Sequence, residues 1–109
     1  MRIMIGIDVV DIRKFRMRAN KSEFLNRVFS DREKQYAAKC KDAILHLAGL
    51  FAAKEAVRKA FDCKIDFTDV EILHEMNGKP YALIGKEKKR VGVSISYIEN
   101  VAVAVAIVF

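Results

Sequence analysis

The order of hydrophobic patterns along the chain predicts an α+β fold in which an antiparallel sheet packs against a long central helix. Three observations lead to this prediction. Apolar residues alternate at the start of the chain, an unbroken helical pattern (FAAKEAVRKAF) occupies residues 51–61, and alternating segments separated by turn residues fill residues 70–109. With 109 residues, one Pro and five Gly, the chain is expected to form one domain over residues 1–109.

The first element is predicted to be a buried strand over residues 2–10. Three isoleucines and Val9 alternate on one of its faces, while Gly6 and Asp8 share the other. Asp8 is an acid in the middle of a strand, and Gly6 beside it allows close approach of another backbone. Such an aspartate is either a turn or cap residue or a ligand, and the pattern leaves both interpretations open.

Three short N-terminal helices are predicted to follow this strand. Asp11 can cap the first, which runs to about residue 19, and Ser22 with Glu23 can open the second. Residues 30–33 (Ser-Asp-Arg-Glu) match a capping box and start the third. This helix is expected to end near residue 40, before a break at residues 41–42.

The long helix is predicted over residues 43–61, and its apolar circumference indicates that it is buried. Glu55 and Lys59 stand one turn apart on its small-residue strip, and Phe51 is assigned to the opposite side. The two charged residues either form an ordinary i,i+4 pair with each other or point at a ligand. His46 is interpreted as a packed or partly exposed histidine, because no second metal-ligating residue has a suitable spacing.

Two hairpins are predicted in the second half of the chain. Residues 70–84 form the first around a tight turn at Asn77-Gly78, and the charged residues 85–90 connect it to the second. The second hairpin turns at Glu99-Asn100, and its last strand, over residues 101–109, has one bulky face and one face of small residues. The small face is expected to lie against the long helix or a second subunit.

Charge and composition narrow the class of protein. The net charge is +6, and residues 1–41 hold eleven Lys/Arg against five Asp/Glu, whereas residues 42–109 hold nine of each. The basic excess of the first third predicts a positive face for a negatively charged partner. Two cysteines are too few for a disulfide framework. The chain shows neither a signal peptide nor an apolar run that could span a membrane, so a cytoplasmic location without a membrane partner is expected.

Four stretches carry a resemblance to a known family. They are GIDVVDI at residues 6–12, FAAKEAVRKAF at 51–61, NGKPY at 77–81 and VSISYIENVAVAVAIV at 93–108. Together they resemble holo-acyl-carrier-protein synthase, in the family's order and spacing over nearly the whole chain. The resemblance implies the phosphopantetheinyl transferase fold. It also implies the transfer of 4′-phosphopantetheine from coenzyme A to a serine of apo-acyl carrier protein, with release of adenosine 3′,5′-bisphosphate, in fatty acid biosynthesis.

The resemblance implies Mg²⁺ as cofactor, because breaking a diphosphate requires neutralisation of charge on its oxygens. Asp8 matches the family's strand aspartate and Glu55 its helix glutamate, so both are expected to be catalytic Mg²⁺ ligands. Lys59 matches the family's lysine one turn later and is expected to lie near the diphosphate as a catalytic point charge. The base is either Glu55 itself or a metal-bound water that it orients.

A set of coenzyme A contacts is also implied by the resemblance. It comprises Lys41, Lys59, Gly78, Lys79, Pro80, Ser96 and Tyr97. The chain departs from the family at two positions, since Leu50 stands where the family commonly has Arg and Tyr97 where it commonly has His. Both family residues are associated with holding phosphates, so Lys41 and the Tyr97 hydroxyl are expected to substitute for them.

The partners implied by the resemblance are an acidic acyl carrier protein and further copies of the chain. The carrier is expected to dock on the basic face, and the docking residues are Arg13, Lys14, Phe15, Met17 and Arg27. The family's habit implies a homotrimer with active sites between subunits, in which Asp8 of one chain pairs with Glu55 of its neighbour. Nucleic acid is not expected as a partner. The alternative is a basic non-enzymatic module for nucleic-acid binding or assembly.

Overall fold

The computed structural model describes residues 2–109 and confirms the α+β class. One antiparallel sheet has the strand order β1-β5-β4-β3-β2, so β1 and β2 lie at opposite edges. The elements are β1 (Met4–Asp11), α1 (Ile12–Ala19), α2 (Ser22–Val28), α3 (Asp31–Ala38), α4 (Ala43–Ala60), a 3₁₀ turn (Phe67–Asp69), β2 (Val70–His74), β3 (Pro80–Ile84), β4 (Lys89–Ile98) and β5 (Val101–Val108). Within the described residues, no helix has the length and apolar character needed to cross a membrane.

Helix α4 lies directly on β1 and β5 because the side chains between them are small. The buried alanines of this contact are Ala48, Ala52, Ala53, Ala56, Ala102, Ala104 and Ala106. The backbones come closest at Gly6, where a Cβ would lie 1.8 Å from the carbonyl oxygen of Ala56. Any other side chain at Gly6 would therefore push the strand off the helix. The prediction that the small face of the last strand packs on the long helix is confirmed.

The predicted burial of β1 is wrong for one of its two faces. Gly6 and Val10 are buried against α4, but the opposite side chains, with Ile3 just before the strand, are between 55% and 65% exposed. The register between β1 and β5 places the bulky residues of β5 on this same side of the sheet. We call this surface the exterior sheet face; its members are Ile3, Ile5, Ile7, Val9, Val103, Val105 and Ile107. Large exposed apolar patches on soluble proteins are typical of interaction sites.

The remaining element boundaries agree with the predictions to within a few residues. The capping box is present, because the Ser30 hydroxyl accepts from the Glu33 backbone while the Glu33 carboxylate accepts from the Ser30 backbone. Helix α3 ends at Ala38, slightly earlier than expected, and Asp42 caps α4 through its side chain. Residues 89–90, assigned to the connection, instead extend β4.

A buried ion pair joins α3, α4 and β2. Lys54 Nζ lies 2.7 Å from Glu33 Oε1, and the two side chains are only 1% and 0% exposed. Glu33 also accepts from the backbone N–H of Ser30 at 2.8 Å and of Ile72 at 2.7 Å. Burial lowers the pKa of Lys54, and the neighbouring Glu33 carboxylate opposes that shift. The pair therefore fixes the rotation of α4 at the residue next to Glu55.

Candidate active site

Asp8 points from β1 toward α4, and its side chain is only 14% exposed. Lys59 reaches it from the last turn of α4, with Nζ 3.1 Å from Asp8 Oδ1 and 3.1 Å from the Ile7 carbonyl oxygen. Burial raises the pKa of Asp8; Lys59 opposes this shift, and Glu55 adds to it. A carboxylate that is partly removed from water, close to a second acid, is typical of functional sites.

Glu55 lies on the same side of α4 but has a different counter-charge. Its Oε1 is 2.7 Å from Nη1 of Arg58, one turn further along the helix. The sequence left open whether Glu55 pairs with Lys59 or faces a ligand, and in the structure the two do not pair. Each acid has its own cation, Lys59 for Asp8 and Arg58 for Glu55.

Asp8 and Glu55 of one chain line a single cavity of about 270 Å³. Phe51 lies in the same wall, so its assignment to the side of α4 opposite Glu55 is wrong: residues four apart on a helix share a face. The expectation that Asp8 meets Glu55 of a neighbouring subunit is also wrong, because one chain brings them together. Lys14 and Arg18 of α1 complete the cavity wall with positive charge.

The donors in this cavity suit a hard divalent cation. Within residues 2–109, no point gathers three or more His, Cys, Asp or Glu side chains as potential ligands. Two carboxylates are nevertheless what Mg²⁺ requires of a protein when water and phosphate oxygens fill the rest of its shell. Asp8 and Glu55 could hold such an ion, and Lys14, Arg18 and Lys59 could bind the phosphates of a substrate.

Lys41 and Tyr97 lie in a second and larger cavity of about 650 Å³ at the start of α4. The Tyr97 hydroxyl rests on Gly49, where a Cβ would approach it to 1.9 Å. Burial raises the pKa of Tyr97, and Cys40 adds to the shift, so the phenol stays protonated near neutrality. Lys41 and Tyr97, which the resemblance assigns as coenzyme A contacts, share this cavity but do not line the cavity of Asp8 and Glu55.

Apart from Lys59, which contacts Asp8, the other predicted coenzyme A contacts are also separated from the carboxylates. Ser96 precedes Tyr97 on β4 and therefore faces the opposite side of the sheet. Gly78, Lys79 and Pro80 lie at the β2–β3 turn, at the sheet edge away from β1. Gly78 has φ 89°, a left-handed conformation that favours glycine. One chain thus holds the two halves of the predicted site apart.

The predicted docking residues lie on α1 and α2, and one of them is not accessible. Phe15 is 2% exposed and packs against three aromatic rings, so its assignment as a docking contact is wrong. The other rings are Phe24, Phe29 and Phe51. Met17 is 73% exposed and borders an open groove of about 440 Å³ with Arg27. Arg13 and Lys14 are also exposed.

Sequence reasoning missed three features around these sites. Arg18 stacks over Phe24 at 4.2 Å and borders both the groove and the Asp8 cavity; its i+4 spacing from Lys14 was the available signal. Arg58 binds Glu55 from three positions away on the helix. The third feature is the ring of His74, which lies 5.3 Å from that of His46 although the spacing did not indicate it; His46 is half-buried, as predicted, and burial lowers its pKa.

Comparison with known proteins gives a consistent result across the chain. Residues 4–106 match the family model of the 4′-phosphopantetheinyl transferase superfamily. The holo-[acyl-carrier-protein] synthase of Protochlamydia amoebophila is 40% identical over 119 residues, covering 98% of both chains. The protein of the same name from Caldanaerobacter subterraneus is 34% identical over 120 residues, covering 98% of this chain and 94% of the relative.

Solved structures of proteins with this name also resemble the fold closely. The holo-(acyl-carrier-protein) synthase of Bacillus anthracis in complex with CoA (3′,5′-ADP) has a TM-score of 0.83 and 30% identity, covering 95% of this chain and 93% of that one. The Helicobacter pylori protein in complex with coenzyme A has a TM-score of 0.81 and 32% identity, covering 94% and 97% respectively.

Proposed function

The chain belongs to the 4′-phosphopantetheinyl transferase superfamily, and we propose that it is a Mg²⁺-dependent holo-[acyl-carrier-protein] synthase. It transfers 4′-phosphopantetheine from coenzyme A to a serine of apo-acyl carrier protein in fatty acid biosynthesis, in the cytoplasm. The observation that carries the proposal is the single cavity that Asp8 and Glu55 both line. Each of the two acids is paired with its own cation, Lys59 for Asp8 and Arg58 for Glu55. The non-enzymatic alternative is set aside because the relatives are named as enzymes.

The reaction breaks one phosphorus–oxygen bond and forms another. The serine hydroxyl of the carrier attacks the phosphorus attached to the pantetheine arm, and adenosine 3′,5′-bisphosphate departs with the electron pair of the diphosphate bond. Mg²⁺ held by Asp8 and Glu55 would neutralise charge on the diphosphate oxygens. The serine proton must leave as the new bond forms, and its acceptor is either Glu55 itself or a water that Glu55 orients.

Lys59 supplies a charge that can follow the substrate. Its side chain is 51% exposed, whereas Asp8 beside it is largely covered. The flexible stem would let the ammonium turn from Asp8 to a diphosphate oxygen, which would leave the Asp8 carboxylate free to hold Mg²⁺. Lys14 and Arg18 hold further positive charge at the cavity wall, where phosphates and an acidic carrier would approach.

The proposal is tested with apo-acyl carrier protein, coenzyme A and Mg²⁺, followed by intact-protein mass spectrometry. A gain of one phosphopantetheine mass on the carrier, with release of adenosine 3′,5′-bisphosphate, is expected. Chelation of the metal should stop the reaction, and added Mg²⁺ should restore it. A carrier mass that stays unchanged at saturating coenzyme A and Mg²⁺ would contradict the proposal.

We further propose that the active enzyme is a homotrimer in which neighbouring chains complete each site. The exterior sheet face is an exposed apolar surface on which the chains could assemble. The small face of β5 is not free for assembly, because α4 covers it. Asp8 and Glu55 line one cavity of the chain, while Lys41 and Tyr97 line another. A neighbouring copy would bring its Lys41 cavity and β2–β3 turn to the carboxylates.

The assembly predicts a specific pattern when inactive variants are mixed. Asp8→Asn mixed with Lys41→Ala should regain activity after subunit exchange, because some interfaces then combine two unaltered halves. Asp8→Asn mixed with Glu55→Gln should regain none, because both residues belong to the same half-site. Sedimentation should give a trimer at micromolar concentration, and Ile7→Lys on the exterior sheet face should shift it to monomer. An active monomer would contradict the proposal.

Carrier docking is expected to depend on the charge of α1 and α2. Replacing Arg13 and Arg27 by Glu should raise the KM for carrier about tenfold or more, because steering by surface charge acts on encounter. Coenzyme A binding should change little. The control is the double variant Lys86→Glu with Lys88→Glu, which makes the same charge change in the exposed turn between β3 and β4. If both double variants raise the KM for carrier equally, docking does not use the basic face of α1 and α2. Added salt should also raise the KM for carrier of the unaltered protein, because it screens the same charges.

A further inference from the structure

Arg58 is held in one place by three separate contacts. Its Nη1 lies 2.7 Å from Glu55 Oε1, and its Nε donates to the carbonyl oxygen of Ile65 at 2.8 Å. The guanidinium also stacks over the ring of Phe67, 4.3 Å from the centroid. With a side chain only 21% exposed, Arg58 is fixed relative to both the helix and the chain that follows it.

The end of α4 is shaped to make these contacts. Asp62 and Cys63 both adopt left-handed backbone conformations, with φ 55° and 59°, and turn the chain back along the helix. The Cys63 backbone N–H donates to the Arg58 carbonyl oxygen at 2.7 Å, which closes this turn. The turn carries Ile65 and Phe67 to the guanidinium. Two residues in an unfavourable backbone conformation are thus maintained where the chain turns back to contact Arg58.

The two cations that pair with Asp8 and Glu55 differ in how firmly they are held. Lys59 is half exposed on a flexible stem and contacts Asp8 from solvent. Arg58 is anchored by a ring and a carbonyl that lie outside the cavity, and its planar fork cannot leave Glu55 without giving up both. Lys59 is therefore suited to follow a substrate, and Arg58 to keep Glu55 in place.

We propose that Arg58 is a positioning residue that binds Oε1 of Glu55 and thereby presents Oε2 alone to the metal. This inference rests on the proposed function of the cavity. A carboxylate with one oxygen committed binds a metal through the other, in a single orientation. The guanidinium also offsets the charge of Glu55, so it weakens metal binding while it improves orientation.

These two effects have opposite signs, and they make the role testable. In Arg58→Met, Mn²⁺ should bind about threefold to tenfold more tightly, because a positive charge next to a ligand has been removed. The kcat should nevertheless fall about tenfold to a hundredfold, because Glu55 is free to rotate. In Arg58→Lys the charge remains but the simultaneous contacts are lost, so Mn²⁺ affinity should stay near that of the unaltered protein while kcat falls.

The measurements are free Mn²⁺ by electron paramagnetic resonance, steady-state kinetics with Mg²⁺, and thermal melting of each variant. Lys86→Met, an exposed cation far from the cavity, is the matched control and should leave both Kd and kcat unchanged. Metal binding that is unchanged or weakened in Arg58→Met would overturn the proposal, and so would an unchanged kcat. If Arg58→Met fails to fold, Arg58→Lys decides: full kcat overturns the proposal. An unaltered protein that neither binds Mn²⁺ nor transfers phosphopantetheine would instead contradict the proposed function.

Discussion

Replacing Asp8 by Asn or Glu55 by Gln is expected to lower phosphopantetheine transfer by about 10²- to 10⁴-fold while the protein stays folded. Both substitutions keep the size of the side chain and remove one carboxylate from the cavity that the acids share. Transfer rates at saturating coenzyme A and carrier check this, with Glu87→Gln at an exposed turn as the control. Unchanged rates in either variant at millimolar Mg²⁺ would refute the metal assignment.

Asp8→Asn is also expected to raise the melting temperature in the absence of metal. The pKa of Asp8 is raised above 3.8 in the folded protein, chiefly by burial, so the folded state holds this proton more tightly than the unfolded chain does. The carboxyl therefore adds stability at low pH that is lost as the pH rises through its folded pKa. The advantage of Asp8→Asn in Tm should grow as the pH rises from about 4 toward neutrality; an advantage that shrinks would contradict the argument.

The parts of the fold that depend on local chemistry could be predicted from the sequence. Helix α4 follows from a long run of helix formers, and the Ser30 capping box from residues three apart. The alternation in β1 predicted two distinct faces but not which one is buried. The face carrying the isoleucines is the more hydrophobic, yet the helix packs on Gly6, because only a residue without a side chain lets α4 come so close.

The parts of the site that depend on distant pairs could not be predicted in this way. Lys54 lies among alanines in a helical pattern and resembles an ordinary helix former, while Glu33 is 21 residues away. Arg58 was overlooked because its support comes from a turn after the helix. The pattern marked Asp8 and Glu55 separately as possible ligands, but only the family resemblance assigned them to one site, since an acid in a strand and another in a helix carry no common spacing.

Replacing Lys54 by Met is expected to lower the free energy of unfolding by about 3–5 kcal/mol, because it leaves the Glu33 carboxylate buried without its cation. The double variant Lys54→Met with Glu33→Gln should lose less than the sum of the two single variants, since neither charge of the pair is then left buried alone. It should still be less stable than the unaltered protein, because Oε1 and Oε2 of Glu33 each accept from one backbone N–H and a glutamine has one oxygen for the two. Lys34→Met is the control: its Nζ lies 3.6 Å from the carboxylate of Asp31 and 2.6 Å from Oδ1 of Asn26, both exposed, and a loss within about 1 kcal/mol is expected.

Urea unfolding at one fixed protein concentration measures these differences, with the m-value as the check that each variant unfolds from the same compact state. A loss in Lys54→Met no larger than that of the control would show that the buried pair contributes little.

The pair also bears on the reaction, because Lys54 precedes Glu55 on α4 and ties that turn of the helix to α3 and β2. If the pair sets the direction of Glu55, Lys54→Met should reduce kcat even at temperatures where the variant is fully folded. The double variant should recover part of the stability but less of the rate, because packing replaces the energy of the ion pair more readily than its geometry.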